Sequence, residues 1–450
     1  MKGMKVLVLG LAKSGMAVAK LLAEKGAQVI VNELKPQDEL TGREELERLG
    51  IPLICGDHPL SLLDEPLDFI VKNPGIPYDI PFLQEAARRH IPILTEIEIG
   101  YLFTKAPIIG VTGSNGKTTT TTLISLMLRE SGLKAQTAGN IGNVFCQVAA
   151  HASPGEWLVT ELSSFQLLGT YRFRPRIGVL LNIYNAHLDY HKTKEAYVEA
   201  KARLFSNQKE NDVAILNADQ EETRTIGRRL IRGEVLWFSR EKKVDKGIYL
   251  RGKSIVYRHD GGEEEILSWP EVRLPGVHNL ENCMAAALAA LKAGASFEAI
   301  RSVLRSFPGV RHRLQFVCER DGVAYYNDSK ATNALATKRA IESFAGRVIL
   351  IAGGLDRGED FRTLEDVFQS HLKGLIVYGQ TAAKLAKVGE KAGVKEIIHV
   401  DTIKDAVKMA RELAVPGDTV LLSPACASWD QFSSYEERGD MFISSVHMLD

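Results

Sequence analysis

The sequence predicts an α/β protein of three domains: a Rossmann-like N-terminal domain, a central P-loop ATPase-like domain on a parallel sheet, and a Rossmann-like C-terminal domain. Apolar strand patterns alternate with helical ones along the chain, and three successive blocks each open on a new strand followed by a glycine turn. In the run Gly110-Val-Thr-Gly-Ser-Asn-Gly-Lys-Thr-Thr119, moreover, a glycine-rich loop directly follows an apolar strand and leads into a helix. The expected boundaries are residues 1–95, 96–307 and 308–450.

In the first block, Val6-Leu-Val-Leu-Gly10 is a buried strand, Leu11-Ala-Lys-Ser-Gly15 a turn into an alanine- and leucine-rich helix, and Val29-Ile-Val-Asn-Glu33 the returning strand of a βαβ unit. Asp68-Phe-Ile-Val71 runs into Asn73-Pro-Gly75, and Ile91-Pro-Ile-Leu94 is a last strand before a linker near Thr95. Gly10 and Gly15 lack the middle glycine of a full dinucleotide fingerprint, so a general nucleotide-diphosphate site fits as well as NAD.

The second block opens on Ile108-Ile-Gly-Val111 and the glycine loop. Its backbone N–H groups can turn onto phosphate oxygens, Lys117 adds a point charge for the terminal phosphates, and the Thr118 hydroxyl can reach a bound Mg²⁺. The usual spacing asks for glycine where Val111 stands, so this is a variant phosphate loop. Later strands, Trp157–Glu161, Ile177–Asn182 and Val213–Asn217, each end in a polar residue at the carboxyl edge, where open parallel sheets hold ligands. Glu161, Asn182 and the nearby His187 are therefore candidate site residues. Residues 240–270 are charged and alternating, as in a small antiparallel excursion rather than more parallel sheet.

An amphipathic helix around 297–305 ends at Phe307-Pro-Gly309, a breaker cluster placed to act as a hinge. The third block has strands at Ala324–Asn327, Val348–Ala352, Leu375–Tyr378, Ile397–Val400 and Thr419–Leu422. Two of them run into dense polar loops, Asn327-Asp-Ser-Lys-Ala-Thr332 and Ser423-Pro-Ala-Cys-Ala-Ser428.

Lys plus Arg equal Asp plus Glu at 56 each, so no basic field draws the chain to nucleic acid or a membrane surface. No apolar run approaches the roughly eighteen residues of a membrane span. The start, Met1-Lys-Gly-Met-Lys-Val, passes at once into a strand without a signal-peptide core, and the five cysteines are scattered. A reduced, cytoplasmic, monomeric protein is expected.

Thr112-Gly-Ser-Asn-Gly-Lys-Thr118, Glu161-Leu-Ser-Ser-Phe-Gln166, His187-Leu-Asp189, Leu274-Pro-Gly-Val-His-Asn279, His312-Arg313 and the two third-block loops together resemble the Mur ligases of bacterial peptidoglycan synthesis, over essentially the whole chain. The earlier clusters are shared with folylpolyglutamate synthases, whereas the two loops are similar to those of the D-glutamate-adding branch. The resemblance implies ATP-dependent amide formation through an acyl phosphate, with UDP-N-acetylmuramoyl-L-alanine and D-glutamate as substrates and two Mg²⁺ ions.

The same resemblance assigns residues. Gly113, Ser114, Asn115, Gly116, Lys117, Thr118 and Thr119 form the ATP loop, joined by Asn282, Arg313, Asp328 and Lys330. Thr118, Glu161, His187 and a carbamylated Lys201 are the metal set, and Lys117, His187 and Lys201 the catalytic set. Leu11, Lys13, Ser14, Glu33, Asn73, Pro74, Gly75 and Asn140 take the UDP sugar, with Asn32 the alternative to Glu33. Thr332, Arg357, Ser428 and Tyr435 take D-glutamate, Arg357 and Tyr435 standing where some relatives carry lysine and phenylalanine. Without the resemblance, Lys201 reads as a helical surface lysine. A nicotinamide oxidoreductase, a P-loop switch and a sibling ligase remain the other readings; the first leaves the phosphate loop idle and the second the third domain.

Overall fold

The structure is a computed structural model and describes residues 1–40, 42–184, 188–344 and 347–449. Among these residues there are three separate sheets, as the strand and glycine-turn pattern predicts. By packing, the chain divides into two compact units, residues 1–270 with 281–303, and residues 271–280 with 304–450.

The first unit holds two sheets. In the N-terminal one the spatial order is Leu53–Cys55, Gln28–Glu33, Lys5–Leu9, Phe69–Lys72, Ile93–Leu94, all parallel. Alternation along one strand fills two layers. Val6 and Val8 pack with Val18 and Leu22 of the helix Lys13–Glu24, while Leu7 and Leu9 pack with Phe82 and Leu83 of the helix Pro81–Arg88. A parallel strand with both faces covered must be apolar throughout, hence the continuous Val-Leu-Val-Leu run.

The central sheet has nine strands. Ala135–Gly139, Trp157–Glu161, Ile108–Thr112, Ile177–Leu180, Val213–Asn217 and Glu234–Ser239 are parallel neighbours in that order. The 240–270 region does form antiparallel strands, but they continue this sheet rather than leaving it. Gly247–Arg251 pairs parallel with Glu234–Ser239, then Ser254–His259 and Gly262–Ser268 follow antiparallel. The carboxyl ends of Trp157–Glu161, Ile108–Thr112 and Ile177–Leu180 lie side by side, bringing Glu161, the glycine loop and Asn182 to one edge.

The second unit carries the six-stranded sheet, ordered Gln315–Arg320, Val323–Asn327, Thr419–Leu422, Val348–Gly353, Leu372–Tyr378, Glu396–His399. All pairs are parallel except the first, an antiparallel edge that the sequence pattern did not mark. Val348, Leu350 and Ala352 face Leu364, Phe368 and Leu385, whereas Ile349 and Ile351 face Ile403, Val407 and Phe442, again a sheet wound on both sides. Three neighbouring strands deliver the loops starting at Asp328, Ser423 and Gly354 to one carboxyl edge.

Candidate active site

The phosphate loop joins the strand Ile108–Thr112 to the helix Lys117–Glu130, whose first residue follows Gly116 at φ +82°. A side chain there would be strained, and its Cβ would lie 2.0 Å from Asn282 Oδ1, so only glycine lets Asn282 approach the loop. Asn182 clamps the loop: its Oδ1 accepts from Asn115 N (2.9 Å), its Nδ2 donates to Asn115 O (3.2 Å), and its carbonyl accepts from Ser114 N (3.0 Å). The Ser114 hydroxyl lies 2.9 Å from Tyr197 Oη and accepts from Tyr184 N. Thr118 and Thr119 are buried at the start of the helix.

Two lysine side chains converge on one carbonyl oxygen. Lys117 Nζ donates to Gly113 O and Ser114 O, each at 2.9 Å, and Lys201 Nζ also donates to Gly113 O at 2.9 Å. Lys201, on the helix Lys194–Ala202, is 1% exposed and lies 4.5 Å above the Tyr197 ring, so it is no surface lysine. Burial, and secondly the Lys117 charge, hold its pKa well below the ordinary lysine value. An amine so placed spends more time unprotonated and nucleophilic.

Glu161 closes its strand at 2% exposure. Its Oε1 accepts from Asn140 Nδ2 at 2.8 Å, while its Oε2 is buried without a hydrogen-bond partner. A buried carboxylate oxygen without a hydrogen-bond partner is a hard donor suited to Mg²⁺. Among the described residues no cluster of three His, Cys, Asp or Glu forms a metal site, and His187 lies outside the described residues.

At the N-terminal sheet, Glu33 Oε2 accepts from Leu11 N (2.6 Å) and Oε1 from Lys35 N (3.2 Å), placing this carboxylate on the first turn. Asn32 is fully buried and otherwise engaged: Nδ2 donates to Ile54 O and Asp57 O, and Oδ1 meets His58 Nδ1 at 2.6 Å. Asn73 Nδ2 donates to Ser14 Oγ (3.1 Å) and Asn73 Oδ1 accepts from Gly75 N (3.1 Å), tying the two turns together. Lys13 is exposed beside them and Pro74 half-buried. Asn140, from the central sheet, donates its Nδ2 to Glu161 Oε1.

In the second unit Asp328 is buried, accepting from Leu314 N (3.1 Å) and the Ser423 hydroxyl (2.9 Å), and desolvation pushes its pKa up to about 7. Arg313 Nε is buried without a partner. Lys330 Nζ lies 5.1 Å over the Tyr435 ring, Thr332 is half-buried, and Ser428 is buried. Arg357 is exposed and stacks its guanidinium 4.6 Å from the ring of Trp429, which is itself 64% exposed. Sequence reasoning missed Tyr197, Trp429 and Arg438. Fully buried Arg438 bonds Ser329 and Cys426 O and so joins both loops. An arginine four residues into the last amphipathic helix was its only trace.

A glycine-rich loop at a helix start, two lysines on its Gly113 carbonyl and an unpartnered buried carboxylate oxygen on one α/β sheet edge are the features of a nucleotide-dependent enzyme. In succession the chain matches the MurD-like N-terminal domain of Mur ligases (residues 4–95), the Mur ligase middle domain (111–290) and the Mur ligase glutamate ligase domain (312–426), and it belongs to the Mur ligase family. It is 54% identical over 446 residues to the UDP-N-acetylmuramoylalanine–D-glutamate ligase of Geobacillus kaustophilus, covering 99% of this chain and 98% of that one. It is 51% identical to the Bacillus subtilis enzyme of the same name, covering 98% and 97%. Among solved structures, the MurF ligase of Thermotoga maritima in complex with ADP shares the fold at TM-score 0.57 and 18% identity, over 99% of this chain and 96% of that one.

Proposed function

We infer that this chain is an ATP-dependent ligase that joins D-glutamate to UDP-N-acetylmuramoyl-L-alanine in peptidoglycan precursor synthesis. The observation that carries the reading is full-length identity above half to a relative of that name, and the crowded cations at Gly113 give it a chemical site.

A carboxylate is a poor acyl donor. The terminal L-alanine carboxylate oxygen attacks the γ-phosphorus, the bond to ADP breaks, and an acyl phosphate results. The D-glutamate amine then attacks the acyl carbon, and the tetrahedral intermediate collapses to amide with release of phosphate and a proton. Lys117 and the loop N–H groups orient the phosphates and meet the charge that builds on them. Thr118 and Glu161, with His187 and Lys201, would hold Mg²⁺, which when bound neutralises phosphate and acyl oxygens. The orphan Glu161 Oε2 supports a first ion. A second ion rests on Lys201: burial lowers its pKa and so favours the free amine that takes up CO₂, and the carbamate would replace a repelling cation with an anionic oxygen donor.

The turns at Leu11, Lys13, Ser14 and Glu33 and at Asn73, Pro74 and Gly75 take the UDP sugar, with Asn140 near the acyl end. Asn282, Arg313, Asp328 and Lys330 serve ATP, and Thr332, Arg357, Ser428 and Tyr435 serve D-glutamate. The enzyme works as a monomer in the cytoplasm; among the described residues no helix is long and apolar enough to cross a membrane.

The test is Mg²⁺-dependent phosphate release from ATP with UDP-N-acetylmuramoyl-L-alanine, comparing D-glutamate, L-glutamate, L-alanine and meso-diaminopimelate. Release with D-glutamate alone is expected. Release with another amino acid makes it a sibling ligase, and release without any makes it a hydrolase. Incubation with ¹³C-bicarbonate should add a carbamate carbon resonance that Lys201→Ala lacks.

A further inference from the structure

Lys72 ends the strand Phe69–Lys72, immediately before the Asn73-Pro74-Gly75 turn, and is 1% exposed. Its Nζ donates to the carbonyl oxygens of Asn73 (3.2 Å), Pro74 (3.2 Å) and Ile76 (2.8 Å) and to the hydroxyl of Tyr190 (3.2 Å). The ammonium also lies 4.5 Å from the centre of the Tyr78 ring and 5.9 Å from that of Tyr190. Tyr190 sits on the helix Leu188–His191 that follows the central strands, and its hydroxyl approaches Pro74 O and Ile76 O at 3.2 and 3.1 Å. The partner atoms are all uncharged. Burying a cation on such partners is costly, and desolvation pushes the Lys72 pKa down to about 7. A methionine would fill the same space without that cost.

The ammonium organises the backbone here. Three carbonyls within four residues turn toward one nitrogen, and because each peptide is planar and Pro74 and Pro77 have fixed φ, holding those carbonyls fixes the course of the whole turn. The opposite side of the turn carries the Asn73–Ser14 link to the first turn. We propose that Lys72 is a positioning residue for the nucleotide-sugar substrate: it gathers the carbonyls of residues 73–76, fastens them to Tyr190, and so presets the substrate-facing side of the turn. This rests on the reading of that turn as part of the UDP-sugar site.

Full-length Lys72→Met, Tyr190→Phe and Asn73→Ala should be compared with the parent by calorimetric titration with UDP-N-acetylmuramoyl-L-alanine and by kinetics with each substrate varied. Lys72→Met is expected to raise Kd and KM for the sugar nucleotide about tenfold or more, the worth of hydrogen bonds to a charged donor. KM for ATP and D-glutamate should stay within about twofold, a split that general loosening of the fold would not produce; Tyr190→Phe should move the same constant less. Parent-like sugar-nucleotide affinity in folded Lys72→Met, with Asn73→Ala weakened, overturns the role of Lys72 alone. Parent-like affinity in both overturns the site reading and the proposal with it. If Lys72→Met does not fold, Tyr190→Phe decides, and an unchanged Kd there overturns the proposal.

Discussion

The carboxyl edges of the central and third sheets solve the same problem with opposite signs. At the central edge Asn182, Ser114 and the loop carbonyls satisfy one another, and the atom left over is anionic, Glu161 Oε2. At the third edge Asp328 accepts from Leu314 N and the Ser423 hydroxyl, and among the atoms left over are the cationic Arg313 Nε and the anionic Asp430 Oδ1, so only here is a cation among them. A buried polar atom without a protein partner costs stability. The proposed roles set a metal cation against Glu161 and a phosphate against Arg313.

The sharpest way to break this contrast is to neutralise each orphan. Glu161→Gln keeps an acceptor for Asn140 but removes the charge; turnover is expected to fall about a hundredfold or more, with the Mg²⁺ dependence displaced to higher concentration. Arg313→Met should instead raise KM for ATP about tenfold, the loss of a charge-assisted hydrogen bond, without displacing the Mg²⁺ dependence. Steady-state kinetics over an Mg²⁺ series separates the two, and matching profiles would erase the contrast.

Asp328 sharpens it on the stability side. Its carboxyl moves from an ordinary 3.8 to about 7 because it is buried, so the folded state binds the extra proton between those values. Stability from this group falls as pH rises across that window, and the cost is fully present above about pH 7. Asp328→Asn removes the charge while still accepting from Leu314 N. Its melting temperature should exceed the parent's most above about pH 7, by the equivalent of on the order of 2 to 4 kcal/mol, and converge with it near about pH 4. A pH-independent difference would mean that Asp328 is paired with a cation when folded.

How much of this was legible follows from which residues are constrained locally. The glycine loop was readable because Gly116 must take a positive φ and Lys117 and Thr118 must follow it directly, a requirement written in adjacent positions. The strand cores were readable because parallel strands covered on both faces tolerate only apolar runs. Lys201 was not, since nothing in Glu-Ala-Tyr-Val-Glu-Ala-Lys tells a surface helix from one whose last turn is pressed against Gly113, and only the family resemblance singled it out. Lys72 escaped likewise: a lysine at a strand end usually reaches solvent, and its capture needs its own turn to fold its carbonyls back and Tyr190, 118 positions on, to close over it. The hairpin strands after residue 247 were readable as antiparallel, but their attachment to the parallel sheet is a pairing that local pattern does not encode.

The smallest effect probes Arg357, the cation proposed for D-glutamate, which is exposed where Arg313 is half-buried. Arg357 has a flexible side chain, and the Trp429 indole lies under its guanidinium at 4.6 Å, an arrangement that favours one orientation of the fork. Cation–π contacts at exposed sites are worth about 0.5–1 kcal/mol, so Trp429→Ala should raise KM for D-glutamate roughly two- to fivefold with kcat nearly unchanged, and Trp429→Phe should recover part of the loss. A rise well beyond that range would place the indole in contact with the amino acid itself. No change would mean that the guanidinium is oriented by the dicarboxylate alone, and the exposed cation would then differ from half-buried Arg313 in being ordered only by what it binds.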